Sequence, residues 1–385
     1  MGTLGGKKKP FLAGAARNLG RALNPGILSG LSLSSWFHLL WLVRFRINVR
    51  YWPRALSVSL ASLMNSLLER WESWRFGSQW RKICPQPPLF IIGAPRSGTT
   101  FLHNLMCTNP EFAFPNLMEC RFPLSFLTLG PVIRKVLPYL LPDTRAQDNV
   151  GFGPDLPAEE ESALLSMTLS SHQLAIVFPR NRDRFVRYRT LSGYTDDDIE
   201  LWVTSFKAFI RKVSWRKNRM LVLKNPANTA KISLLSKVFP GARFIYIHRH
   251  PEEVFSSVLH TSQMVGPHWR LQTRKHQAGN GGMLEYYGEM IGDYMENRNR
   301  IESGRLVEVS FDELTRDPVR MLGQIYQELD LPGFEQAEAP LRAYLETLKS
   351  YRKNRHVSLA AEEREQLYRS CPEWYAEWGY QKTVE

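Results

Sequence analysis

The stretch LFIIGAPRSGTTFLHNL, Leu89 to Leu105, constrains the fold more than any other part of this chain. Its apolar start suits a buried strand at 89–93. Gly93 and Gly98 bracket a turn at 94–98, and the apolar spacing after it predicts a helix over 99–108. In such a turn the backbone N–H groups of Arg96 to Thr100 point inward, and the helix N-terminus adds positive potential. The loop is therefore read as a phosphate nest. A loop built for a nucleoside triphosphate has lysine after the second glycine. Here Thr99 stands in that place, and Arg96 inside the loop supplies the cation. The strand expected at Arg243 to His248 also ends without the aspartate that would hold magnesium.

The pattern downstream alternates strands and helices. Strands are predicted at MLVLK, ending on Lys224, at Arg243 to His248, and at LVEVSF. Helices are predicted near Pro157, over 196–213, 228–238, from Pro251 to His260, over 283–303 and over 318–329. The Gly-, Gln- and His-containing segment 262–282 reads as a loop, and SYRKNRH, Ser350 to His356, as a basic loop. Alternation of this kind gives an α/β fold: a P-loop-like three-layer arrangement with a central parallel sheet flanked by helices. The chain divides into an N-terminal helical segment, 1–87, and a body, 88–385.

The N-terminal segment has its own signature. Residues 1–20 form a basic tail, and 22–43 carry no Lys, Arg, Asp or Glu. Pro25, the serines and glycines and His38 argue against a membrane span there, and no small-residue cleavage site follows. Leu56, Leu60, Leu63, Met64, Leu67, Leu68, Trp71 and Trp74 share one face of a helix that starts near Pro53. That face either packs on the body or faces lipid, with Arg44, Arg46, Arg50 and Arg54 at headgroups. The net charge of +13 suits an anionic partner, although solubility alone accounts for it equally well. The four cysteines lack CxxC spacing and no HExxH occurs, so neither a disulfide framework nor a metal site is expected. A cytoplasmic protein is the expectation, with contact to the inner face of a membrane through residues 36–76 left as one of the two readings of that helix; no nucleic-acid partner is expected.

APRSGTTFLHNLM resembles the 5′-phosphosulfate loop of sulfotransferases that use 3′-phosphoadenosine 5′-phosphosulfate (PAPS). GARFIYIHRHPEEVFSSVLHT resembles their 3′-phosphate motif, and the arginine spelling of the first loop is closer to the bacterial and tyrosylprotein branches. The resemblance runs from about Pro88 to Tyr380. It implies transfer of a sulfuryl group from PAPS to an alcohol without a metal. Arg96, Ser97, Gly98, Thr99 and Thr100 would hold the 5′-phosphate, and Arg249 with Ser257, eight residues on, the 3′-phosphate. Phe311 would stack on adenine, and Arg352, Lys353 and Arg355 would add charge over the nucleotide. Lys224 would stabilise the transferred group.

Cytosolic members place a catalytic histidine two residues after that lysine, and here the position is Pro226. Glu119, 23 residues past Arg96, is the leading substitute as base, since related families carry a glutamate at a similar distance. His103 and the pair Glu159 and Glu161 in PAEEESALL are the alternatives. The apolar 112–142 region and the N-terminal helix lean towards a lipid or other hydrophobic alcohol as acceptor. Two other classes stay open: a P-loop kinase or NTPase, and a non-catalytic nucleotide-binding protein associated with membranes.

Overall fold

Strand residues in this chain alternate between two separate apolar layers. The computed structural model describes residues 20, 22–140, 151, 153–274, 281–349 and 358–383. Its sheet contains β1 (Leu89–Ile92), β2 (Phe112–Ala113), β3 (Met220–Lys224), β4 (Arg243–His248) and β5 (Leu306–Ser310), in the order β2-β3-β1-β4-β5. Every pairing is parallel. Phe90, Ile92, Leu223 and Phe244 pack on one face with Phe206, Phe209 and Val213 of the helix Asp196–Lys217. Leu89, Ile91, Val222 and Ile245 pack on the other with Leu102, Leu105, Leu322 and Ile325. A sheet covered on both faces needs near-continuous apolar strands, which is why LFII and MLVLK carry so little polar alternation.

The N-terminal segment is joined to this body. Helix α1 spans Leu33–Leu42 and α2 spans Trp52–Trp80. Their inner surface shares an apolar cluster with Leu165, Val177 and Phe178. The helix expected near Pro157 begins at Glu161 and runs to Thr168. That expected over 228–238 is a 3-10 turn, Pro226–Lys231, followed by an α-helix, Ile232–Val238.

One expectation is overturned. The segment 262–282 is not a loop throughout, because the helix from Pro251 continues to Trp269. Tertiary contact extends it: the Trp269 ring lies against Gly26, and Leu271 N–H donates to the Val177 carbonyl at 2.9 Å. The basic loop 350–356, with Arg352, Lys353 and Arg355, lies outside the described residues.

Candidate active site

β1 ends at the C-terminal edge of a parallel sheet, where open α/β folds bind ligands, and the loop 93–98 occupies that edge. The chain leaves β1 through Gly93 at φ 141°, passes Arg96 at φ 75°, and enters α3 (Thr99–Met106) through Gly98 at φ 105°. A Cβ on Gly93 would stand 2.4 Å from the Ile247 carbonyl, and one on Gly98 would stand 2.2 Å from the Phe311 ring. Both positions therefore require glycine for space as well as for backbone conformation. Arg96 holds a left-handed conformation that costs a non-glycine residue about 1–2 kcal/mol. Such strain is typical where a functional loop is over-determined by its surroundings.

Two residues that sequence reasoning did not single out fix the loop. Thr229 Oγ1 accepts from Gly93 N–H at 2.8 Å and donates to the Gly93 carbonyl at 3.1 Å. Tyr287 Oη donates to the Pro95 carbonyl at 2.9 Å. The signal for Thr229 was present in KNPANT: Asn225 caps the turn after β3, and that turn carries Thr229 back under β1. Nothing local marks Tyr287.

Arg96 and Ser257 meet. The Arg96 guanidinium donates through Nε to Ser257 Oγ at 3.0 Å, so the first loop and the helix after β4 share one cleft. Arg249, at the end of β4, pairs with Glu253 and lies 4.5 Å from the centroid of Phe311. Phe311 is buried, wedged between Gly98 and Arg249, so it buttresses the loop instead of presenting an open face to a base.

The second grouping gathers around Lys224, the last residue of β3. Its side chain is 2% exposed; the ammonium donates to Thr100 Oγ1 at 3.3 Å and pairs with Glu159, whose side chain is 34% exposed. The three successive glutamates share no partner among the described residues. Glu159 takes Lys224, Glu160 accepts from Asn228 Nδ2 at 2.7 Å, and Glu161 accepts from Asn225 Nδ2 at 2.8 Å and Ser171 Oγ at 2.5 Å. Burial pushes the Glu160 carboxyl up to about 7.

Glu119 is held in a different structural role. It caps the short helix Leu117–Arg121, accepting from Asn116 N–H at 2.9 Å, and its Oε2 is also 2.8 Å from Lys217 Nζ. The carboxylate is buried and its hydrogen bonds serve the local fold. His103 is buried as well, edge-on to Phe114 with ring centroids 6.4 Å apart. The structure thus brings together Arg96 with Ser257, Arg249 with Phe311, and Lys224 with Thr100 and Glu159.

This cleft fits an anionic, doubly phosphorylated ligand on the chemistry of its own residues. Ser97 Oγ is buried in the loop with no hydrogen-bond partner among the described residues, a polar atom in need of a ligand. Arg96, Lys224 and Arg249 supply cations around it.

A family model described as "Sulfotransferase family" matches residues 87–336. Omega-hydroxy-beta-dihydromenaquinone-9 sulfotransferase Stf3 of Mycobacterium bovis is 29% identical over 354 residues, 92% of this chain and 91% of that protein. Sulfotransferase STF9 from Mycobacterium avium has a similar fold, with a TM-score of 0.66 at 19% identity over 96% of this chain and 97% of that one. Sulfotransferase STF1 from Mycobacterium tuberculosis H37Rv gives 0.59 at 17% identity over 91% and 92%. With the match covering well over half its length, the chain belongs to the sulfotransferase family.

Proposed function

We propose that the chain transfers a sulfuryl group from PAPS to the hydroxyl of a hydrophobic acceptor, without a metal. The observation that carries this reading is the Arg96–Ser257 hydrogen bond. It sets the 5′-phosphate loop beside the helix whose motif resembles a 3′-phosphate site, as a nucleotide with phosphates at both ends requires. PAPS, when bound, supplies the sulfuryl group and leaves as adenosine 3′,5′-bisphosphate.

The loop N–H groups, Ser97, Thr99, Thr100 and Arg96 would hold the 5′-phosphate, and Arg249 and Ser257 the 3′-phosphate. Arg96 and Lys224, already oriented by protein contacts, stabilise negative charge that grows on oxygen as the S–O bond breaks. Fixed donors of this kind need no reorganisation during the reaction. Three cations in the cleft meet the phosphate charge that a metal meets elsewhere.

We assign the base to Glu159 in preference to Glu119 and His103. Glu159 reaches solvent and is oriented by Lys224 beside Thr100. It would take the proton of the acceptor hydroxyl as that oxygen bonds to sulfur. Glu119 is committed to a cap and to Lys217.

The relative supports the acceptor class. Its name gives an omega-hydroxylated dihydromenaquinone, and identity extends over nine-tenths of both chains. A hydroxylated, largely apolar molecule is the proposed acceptor here.

The donor is tested by thermal unfolding with added ligand. Adenosine 3′,5′-bisphosphate should raise the midpoint in EDTA, and ATP should do so weakly. Protection by ATP with magnesium, and none by the bisphosphate, would identify an NTP enzyme and overturn the reading.

A further inference from the structure

The outer face of α2 is apolar where an ordinary surface helix is polar. Trp52, Leu56, Leu60, Leu63, Met64, Leu67, Trp71 and Trp74 are 44–74% exposed and recur at helical spacing. From Trp52 to Trp74 the stripe runs about 33 Å. Phe37, Trp41, Phe45 and Val49, on α1 and the turn after it, continue the same exposed apolar surface in sequence. Among the described residues, 12 of the 18 exposed large hydrophobics fall between Phe37 and Trp74. Scattered exposure on a surface needs no explanation, but this concentration does.

The inner face of α2 is docked largely by polar anchors. Arg54 Nη1 donates to the Arg270 carbonyl at 2.7 Å, and Asn65 Nδ2 donates to the carbonyls of Ser29 and Leu31 at 2.7 and 3.0 Å. Glu72 pairs with Lys212, and its Oε2 accepts from Thr128 N–H at 3.0 Å. These bonds fix the rotation of the helix, so the apolar stripe is held outward. The turn between the helices adds strain in the same direction. Arg44 and Phe45 both have left-handed φ, 55° and 54°, and both are exposed.

The charge around the stripe selects the occupant. Arg44, Arg46, Arg50, Arg70 and Arg75 are exposed, while the only acids between 33 and 80 are Glu69 and the buried Glu72. A second copy of the chain docked through a two-fold axis would set these arginines against one another without acids to pair them. Anionic headgroups neutralise them. Tryptophans stand at both ends of the α2 stripe, Trp52 at one and Trp71 and Trp74 at the other, and Trp suits the boundary between headgroup and acyl chain. No helix among the described residues is long and apolar enough to cross a membrane.

We propose that the face formed by α1, the Arg44–Tyr51 connection and α2 lies on an anionic phospholipid surface, with the apolar stripe buried below the headgroups. The proposal is independent of the donor and of the reaction, since vesicle binding needs no nucleotide.

The test uses the full chain and sedimentation with phosphatidylglycerol-containing or pure phosphatidylcholine vesicles. The wild type should pellet with the anionic vesicles, less so at high salt. Leu60→Ser/Leu67→Ser/Trp71→Ser should lower binding about tenfold or more. Arg44→Glu/Arg46→Glu/Arg50→Glu should remove the preference for anionic lipid. Tryptophan fluorescence of the unmutated protein should be quenched by brominated lipid, a readout that does not depend on how any variant folds. No pelleting and no quenching would overturn the proposal. So would a dimer in light scattering that the apolar triple variant abolishes while vesicle binding stays unchanged.

Discussion

Arg96 and Ser257, separated by 161 positions in the chain, share a hydrogen bond of 3.0 Å, and through it the loop after β1 meets the helix after β4. Arg96→Ala removes both the loop cation and this bond. The expected loss in kcat/KM is on the order of 100- to 1000-fold. Ser257→Ala keeps the cation and should act mainly on nucleotide affinity, with kcat within a few-fold of normal. Steady-state kinetics with PAPS varied at saturating acceptor separates the two. A large fall in kcat for Ser257→Ala, with KM unchanged, would show that the bond serves chemistry instead of binding.

The two glutamates proposed for proton transfer should behave oppositely. Glu159→Gln should lower kcat on the order of 100-fold or more with little change in nucleotide affinity. Glu119→Gln should leave kcat close to normal and lower stability by about 1–3 kcal/mol, because Lys217 loses its charged partner but keeps the Phe114 carbonyl and, at 23% exposed, still reaches water. Denaturant melts and turnover on the same preparations decide it. An inactive, normally stable Glu119→Gln would return the base role to Glu119.

Gly98→Ala places a methyl where the Phe311 ring already stands, at a φ of 105°. The strain should cost about 2 kcal/mol or more and displace the loop. Binding of adenosine 3′,5′-bisphosphate, measured by calorimetry, should fall below detection. Retained binding would mean that the loop does not contact the nucleotide closely at Gly98.

Glu160 gives a pH signature. Burial raises its carboxyl from 4.5 to about 7, with Glu159 adding to the rise and Lys224 opposing it. The folded state therefore holds a proton that the unfolded chain has lost between these values. This contribution to stability is fully present below about pH 4.5 and is lost as pH rises through about 7. It amounts to about 3 kcal/mol across that window. Glu160→Gln keeps an acceptor for Asn228 and cannot ionise, so the difference in stability between wild type and variant should shift by that amount from pH 4.5 to above 7. A pH-independent difference would show that Glu160 titrates normally.

Much of this fold was legible because its determinants are local. Strand β4, Arg243 to His248, was placed to the residue, and the β1 and β5 readings differ from the structure by one residue at their ends. Each is an apolar run closed by a turn. The two-residue β2 escaped because Phe112 and Ala113 form a strand only beside Met220 and Leu221. Helices Phe334–Thr347 and Ala361–Ser370 were not anticipated either. In the site, the glycines and Arg96 were readable from the loop. The partner of Glu119 was not, since Lys217 lies 98 positions away and its approach is set by the packing of helix Asp196–Lys217. The periodicity of Leu56 to Trp74 gave an apolar face without saying what it meets. That depended on Arg54, Asn65 and Glu72, whose partners on the opposite face fix the rotation of the helix.

Metal-independent sulfuryl transfer to a hydrophobic alcohol is read out by mass spectrometry of a membrane-lipid extract incubated with the purified protein, PAPS and EDTA. The expected product is a hydrophobic alcohol that gains one sulfuryl group, with adenosine 3′,5′-bisphosphate released in equal amount and no product from Arg96→Ala. Absence of any sulfated species across hydroxylated quinones and lipids, or transfer that EDTA abolishes, would contradict it.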